Sequence, residues 1–181
     1  IGATLQPEQR EMVRCACENE FELALCDMLY VTGVRVSELC GMDIADVDFQ
    51  RKTAIVYGKG RKERQVYLNG QVALHLWRYL DGRNDDNPAL FVSPNRPKSR
   101  ISGQTVRNIL QCIKARDAEL EGVKVTPHVF RRTVGTDMIN KGAPAEIVKE
   151  ALGHVKIDTT LKCYAAISRE TVQQAHARFV G

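Results

Sequence analysis

The stretch TPHVFRRTVGTDMINKG, residues 126–142, places His128 and Arg131 one helical turn apart. Thr126 suits a helix N-cap and Pro127 the first helical position. Gly142 falls just past the far end, where a left-handed C-cap residue belongs. Phe130, Val134, Met138 and Ile139 recur at helical spacing and form an apolar stripe. A helix N-terminus already attracts anions. An imidazole and a guanidinium added there make a site for a strongly negative group such as a phosphate.

The elements that must position these side chains are mostly helical. Helices are expected from Pro7 to about Cys17, through Phe21, Leu25, Met28 and Leu29 up to Gly33, and from Val36 to about Gly41. The period then changes. TAIVYGKGRKERQVYL reads as a hairpin, Thr53 to Tyr57 and Arg64 to Leu68, around a glycine-flanked turn. ALFVS at 89–93 reads as a third short strand. Helices follow over Gly70–Leu80 and after Ser102, with Val106, Ile109, Leu110 and Ile113 on one face. Beyond the opening helix come Pro144 to Leu152, a short helix near Thr159 to Tyr164, and a last one from Ser168 to Phe179. The pattern is mainly α with a small β component (α+β), without repeats or low-complexity tracts.

Length and composition fit one globular domain: 181 residues, 44% hydrophobic and 27% charged. No apolar run approaches a membrane span of roughly 18 residues. The chain starts at Ile1, and IGATLQPEQR reads as the entry to a helix, so a piece of a longer protein is expected. None of the six cysteines forms a C-x-x-C pair, which argues against zinc and for reduced thiols in the cytoplasm. The net charge of +4 is unevenly spread. From Glu8 to Asp48 ten acids face three bases; from Arg51 to Lys141 eighteen bases face eight acids. Between Pro94 and Arg116 there are six bases and no acid. Such a basic middle suits a polyanionic partner.

Three further places carry candidate chemistry. In TGVRVSEL, Arg35 lies between two helices, either exposed or paired with Glu38. In YGKGRKERQV, Lys59 sits between two glycines at a hairpin tip, where a solvated turn lysine is the ordinary reading. In LGHVKIDTTLKCY, His154 follows a helix-ending glycine and Tyr164 lies ten residues on.

Taken together, the set resembles the catalytic domain of the tyrosine recombinases, the phage-type integrases and Xer-like proteins. The resemblance covers nearly the whole chain: T-G-x-R-x-x-E-L at 32–39, G-K-G-x-K-E-R at 58–64, H-x-x-R at 128–131, L-G-H at 152–154 and T-T-x-x-x-Y at 159–164. The family's active-site positions fall on Arg35, Lys59, His128, Arg131, His154 and Tyr164. Arg132 and Ala166 depart from the histidines that the family often carries there. The resemblance implies a helical bundle with a small three-stranded antiparallel sheet at one edge. It also implies that residues 1–181 are the catalytic domain alone, without the family's N-terminal core-binding domain.

The implied reaction is cleavage and rejoining of double-stranded DNA. A tyrosine hydroxyl attacks and retains the phosphate as an ester, which conserves the bond's free energy and removes the need for ATP. Arg35 and Arg131 would clamp the non-bridging oxygens, with a further hydrogen bond from His154. His128 could accept the tyrosine proton or position the phosphate. Lys59 would protonate the 5′-oxygen. Among the five tyrosines, Tyr57 and Tyr67 fit a sheet, Tyr79 a helix and Tyr30 the core, and only Tyr164 follows L-G-H.

Arg61, Lys62, Arg64, Arg96, Lys98, Arg100 and Arg132 are the expected DNA contacts. No cofactor and no metal is expected; a metal nuclease would need convergent carboxylates, and acids are sparse around the motifs. Rival readings are a non-catalytic DNA-binding module of the same fold and a type IB topoisomerase or telomere resolvase. The resemblance implies a homotetramer on DNA and a monomer when free, no membrane partner, and a C-terminal helix that docks on its own domain or on a neighbour.

Overall fold

The computed structural model describes residues 2–153, 173–174 and 176–178. Its helices begin where local chemistry starts them. In α1 (Pro7–Cys15), Pro7 opens the helix and the Gln9 side chain accepts from the Gln6 backbone N–H at 2.8 Å. Asn19 caps α2 (Glu20–Thr32) by accepting from the Glu22 N–H. The buried residues Ala24, Leu25, Cys26, Met28 and Leu29 carry α2 through the centre of the core. After α2 come a short α3 (Val36–Gly41) and the sheet β1 (Val47–Asp48), β2 (Thr53–Tyr57) and β3 (Glu63–Tyr67).

The sheet is antiparallel in the order β1-β2-β3, with Ala54 opposite both Val47 and Val66. Ala54, Val56 and Val66 face the core, while Tyr57 and Tyr67 are exposed, as a two-residue period requires. The expected strand at 89–93 is not part of the sheet. Its third strand is Val47–Asp48, too short to show any period. Residues 89–92 are buried throughout. They bend inside the core between isolated bridges of Ala89 to Asp43 and Val92 to Arg100, and the Leu90 N–H donates to Met42 O at 2.9 Å and the Val92 N–H to the Tyr79 hydroxyl at 3.2 Å. Tyr79 stacks on Phe91, with ring centres 5.5 Å apart. A continuous apolar run signals burial on all sides, and a sheet is one of several ways to achieve it.

Asn69 caps α4 (Gly70–Asp81) and Ser102 caps α5 (Gly103–Ala115), the latter by accepting from the Thr105 N–H. Thr126 caps α6 (Pro127–Asn140), accepting from the Val129 N–H, and Gly142 follows with φ +86°. Last comes α7 (Ala145–Leu152). The main core joins α2, α4, α5 and α6 through Leu25, Met28, Leu76, Leu110, Ile113 and Phe130. Ile139, Val148 and Leu152 form a smaller cluster that fixes α7 on α6. The expected short helix at 159–164 lies outside the described residues. Of the expected helix 168–179, residues 173–174 and 176–178 are described; they are helical and exposed.

Candidate active site

Gly33 ends α2 in the left-handed conformation, with φ +61°. A Cβ there would lie 2.5 Å from Leu152 Cδ2, so glycine is required both for the turn and for the approach of α7. The chain then turns into α3 at Arg35. The Glu38 carboxylate reaches back to it: Oε2 accepts from the Arg35 backbone N–H and Oε1 from Arg35 Nη1, each at 2.8 Å. The pairing of Arg35 with Glu38 and a role for Arg35 at a site therefore coexist.

The last turn of α7 is where the motifs converge. The Ala151 carbonyl accepts from Arg64 Nη1 at 2.6 Å, the Leu152 carbonyl from Arg131 Nη2 at 2.5 Å and the Gly153 carbonyl from Arg35 Nη2 at 2.9 Å. Three successive carbonyls are thus held by three arginines from β3, α6 and the start of α3. A helix C-terminus carries partial negative charge on such carbonyls, which guanidinium groups satisfy. Arg131 also donates through Nη1 to the Gly33 carbonyl at 2.6 Å, so it bridges the ends of α2 and α7. The chain enters residue 154 from this turn.

The electrostatics are lopsided. Among the described residues, the three guanidinium groups bound to this turn have one buried carboxylate beside them, Glu38, which is 3% exposed and pairs with Arg35 and Arg64. Burial alone would raise the Glu38 pKa. The Arg35 backbone N–H and the Arg64 and Arg35 guanidiniums outweigh it and hold the carboxyl below its ordinary value. A half-buried excess of positive charge at one turn suits a phosphate.

The structure does not bring all the sequence candidates together in one way. Arg131 is 7% exposed and bound to backbone carbonyls, while His128, one turn earlier on α6, is exposed. Arg132 lies beside His128: its Nη2 is 3.4 Å from His128 Nε2, one turn back along the helix. Lys59 is exposed in a tight turn over Lys59–Arg61, closed by the Gly58 N–H donating to Lys62 O at 2.8 Å. Among the described residues none pairs with its ammonium. The turn borders the site, since a Cβ on Gly58 would sit 3.5 Å from Glu38 Oε1. His154 and Tyr164 lie outside the described residues.

Of the expected DNA contacts, Arg61, Lys62, Arg96 and Lys98 are exposed. Arg64 is placed differently: its side chain is 12% exposed and committed to Glu38, at 2.6 Å, and to Ala151 O. Arg100 donates to Met42 O at 2.9 Å and pairs with Asp43, which fastens the segment after α3. Sequence reasoning also passed over Glu38 as more than a partner for Arg35. Its available signal was a carboxylate beside Leu39 in a helix with a buried face. Among the described residues no cluster of histidine, cysteine and acidic side chains could hold a metal ion, and no helix is long and apolar enough to cross a membrane.

The other tyrosines with described positions have other engagements or settings. The Tyr30 hydroxyl donates to Asp137 at 3.0 Å, and burial together with Asp137 pushes its pKa up to about 12. Tyr79 is buried, while Tyr57 and Tyr67 are exposed on the sheet.

Comparison with known proteins gives this geometry a context. The chain is 38% identical over 171 residues to the tyrosine recombinase XerC of Corynebacterium glutamicum, covering 89% of this chain and 53% of that one. It is 36% identical over 153 residues to the tyrosine recombinase XerA of Pyrococcus furiosus, covering 83% and 52%. It therefore spans about half the length of these curated relatives. A crystal structure of XerA recombinase superposes with a TM-score of 0.83 at 28% identity, covering all of this chain and 66% of that one. The catalytic domain of bacteriophage HP1 integrase shares the fold, with a TM-score of 0.69 over 98% of this chain and 95% of that one. The sequence pattern of the phage integrase family matches residues 4–171, a span that takes in every motif brought to the α7 turn, and the chain belongs to that family.

Proposed function

We propose that the chain is the catalytic domain of a site-specific DNA recombinase that cuts and rejoins double-stranded DNA through a 3′-phosphotyrosine. The observation that carries this reading is the cluster at the end of α7. Arg35 and Arg131 are fixed to adjacent carbonyls, those of Gly153 and Leu152. Two cations anchored to one turn are preorganised, so charge developing on a phosphate meets donors that need not rearrange. The fold match to an integrase catalytic domain over nearly its whole length supports the domain assignment.

In this scheme the Tyr164 hydroxyl attacks phosphorus, the bond to the 5′-oxygen breaks, and the 3′-phosphate stays on the tyrosine. Free tyrosine has a pKa of about 10, so the clustered cations must help its proton leave. His128 either accepts that proton or orients the phosphate, and its exposed place in the first turn of α6 is open to a duplex. Lys59, on its exposed turn, protonates the departing 5′-oxygen. His154 adds a hydrogen bond to a non-bridging oxygen. The reverse reaction reseals the strand, and no step is assigned to ATP or a metal. Structural neighbours include a XerH recombinase bound to its difH substrate and the Tn1549 integrase bound to transposon-end DNA, which supports duplex DNA as the partner. Recombination joins two duplexes, so the working assembly is a tetramer on DNA formed from free monomers.

The test is a pool of nicked duplexes of randomised sequence, together with fragments of the source DNA. After cleavage beside a nick, a short strand diffuses away and the covalent adduct is trapped. Recovery of a protein–DNA adduct supports the scheme; DNA binding without any adduct supports a non-catalytic module.

A further inference from the structure

Arg64, whose side chain is 12% exposed, makes an unusual set of contacts. It lies in β3 opposite Val56, five residues after Lys59. Its Nη2 donates to Glu38 Oε2 at 2.6 Å and its Nη1 to the Ala151 carbonyl at 2.6 Å. Its Nε and Cδ pack against Gly153, where a Cβ would lie 2.7 and 2.8 Å from them. Gly153 has φ +61°, so glycine there serves both the turn and the seat of this guanidinium. One planar group therefore ties the strand that follows the Lys59 turn to the first turn of α3 and the last turn of α7.

The ties are shared with Arg35. Glu38 Oε2 accepts from both Arg64 Nη2 and the Arg35 backbone N–H, while Oε1 holds Arg35 Nη1. Removing Arg64 would leave Glu38 balanced by Arg35 alone and draw that guanidinium toward the carboxylate. It would also release the carbonyl two residues before the one that Arg35 holds.

We propose that Arg64 is a positioning residue for the reaction above: by fixing Glu38 and the Ala151 carbonyl relative to one another, it sets the orientation of the Arg35 guanidinium and the direction in which the chain enters residue 154. The proposal rests on the recombinase reading for what is being positioned. Lysine is a poor substitute, because a single ammonium lacks the rigid fork that spans two acceptors.

The test uses the 181-residue chain with Arg64→Lys and Arg64→Ala; the lysine variant keeps the charge and guards against loss of folding. Three quantities are read: amide exchange at 151–153, DNA affinity against salt, and single-turnover cleavage at saturating nicked duplex. Both variants should exchange faster at 151–153, and Arg64→Lys, which keeps the charge, should bind DNA with unchanged affinity and salt slope. Arg64→Ala should cleave about 10- to 100-fold more slowly, the range for groups that orient a catalytic residue, with Arg64→Lys in between. A saturated rate like wild type together with a salt slope lower by about one would make Arg64 a phosphate contact and overturn the proposal. Unchanged exchange would overturn it too. Faster exchange in variants of a chain whose wild type forms no adduct would count against the recombinase reading while upholding the anchoring role.

Discussion

Arg35 and Gly153 are 118 positions apart in the chain and are joined by a hydrogen bond of 2.9 Å from Nη2 to the carbonyl oxygen. This bond fastens the T-G-x-R turn to the turn that leads into residue 154. Arg131 lies alongside, bound to the Leu152 and Gly33 carbonyls. The two arginines are therefore separate in sequence and bound to adjacent carbonyls, but they differ in burial, and that difference can be measured.

Arg35→Ala and Arg131→Ala should each slow strand cleavage by roughly 10²- to 10³-fold, the scale for loss of one preorganised donor. Their stabilities should diverge. Arg35 is 39% exposed at its side chain, whereas Arg131 is buried and satisfies two carbonyls at the ends of α2 and α7. Each carbonyl left unpaired costs about 1–3 kcal/mol. Denaturant unfolding should show a clearly larger loss for Arg131→Ala. Equal stability of the two variants would contradict the bridging role.

Glu38 makes the fold sensitive to acid. Its folded pKa lies below the ordinary carboxylate value, so its contribution to stability is fully present above that ordinary value. It is lost as pH falls through the folded value. Glu38→Gln should cost about 3 kcal/mol at neutral pH, because it breaks a buried pairing, and the gap from wild type should narrow on acidification toward pH 4 and below. Urea melts across pH check this; a gap that stays constant would remove Glu38 from the titration.

Lys59 should matter for chemistry more than for binding. A substrate with sulfur in place of the 5′-bridging oxygen has a leaving group that needs no proton. Lys59→Ala should be slow on the oxygen substrate and recover on the sulfur one. An equal defect on both would mean that Lys59 only orients the DNA.

Much of this architecture can be read from local chemistry. Ser102 and Thr126 cap the helices that their types and positions suggest, and Gly33 ends α2 in the left-handed turn. These features depend on neighbours three or four residues away. The parts that sequence reasoning missed depend on distant ones. Nothing near Arg64 indicates that its partners are Glu38, 26 positions away, and Ala151, 87 positions away. A basic residue in a basic stretch reads as a surface contact until the fold supplies a buried carboxylate. Val47–Asp48 is likewise a strand only because Ala54 and Thr53 lie opposite. The pairing of His128 with Arg131 was legible as spacing, but their different burial comes from the ends of α2 and α7 meeting at one of them.

The site-specific cleavage scheme gives Tyr164 a single indispensable atom, its hydroxyl oxygen. The most direct measurement is to incubate the chain with nicked duplex in EDTA, digest the trapped adduct, and locate the modified peptide by mass spectrometry. The expected result is a nucleotide 3′-phosphate esterified to Tyr164, formed as readily in EDTA as in magnesium and absent in Tyr164→Phe, which still binds DNA. A modified residue other than Tyr164, or cleavage that requires magnesium and leaves no protein on the DNA, would contradict the account.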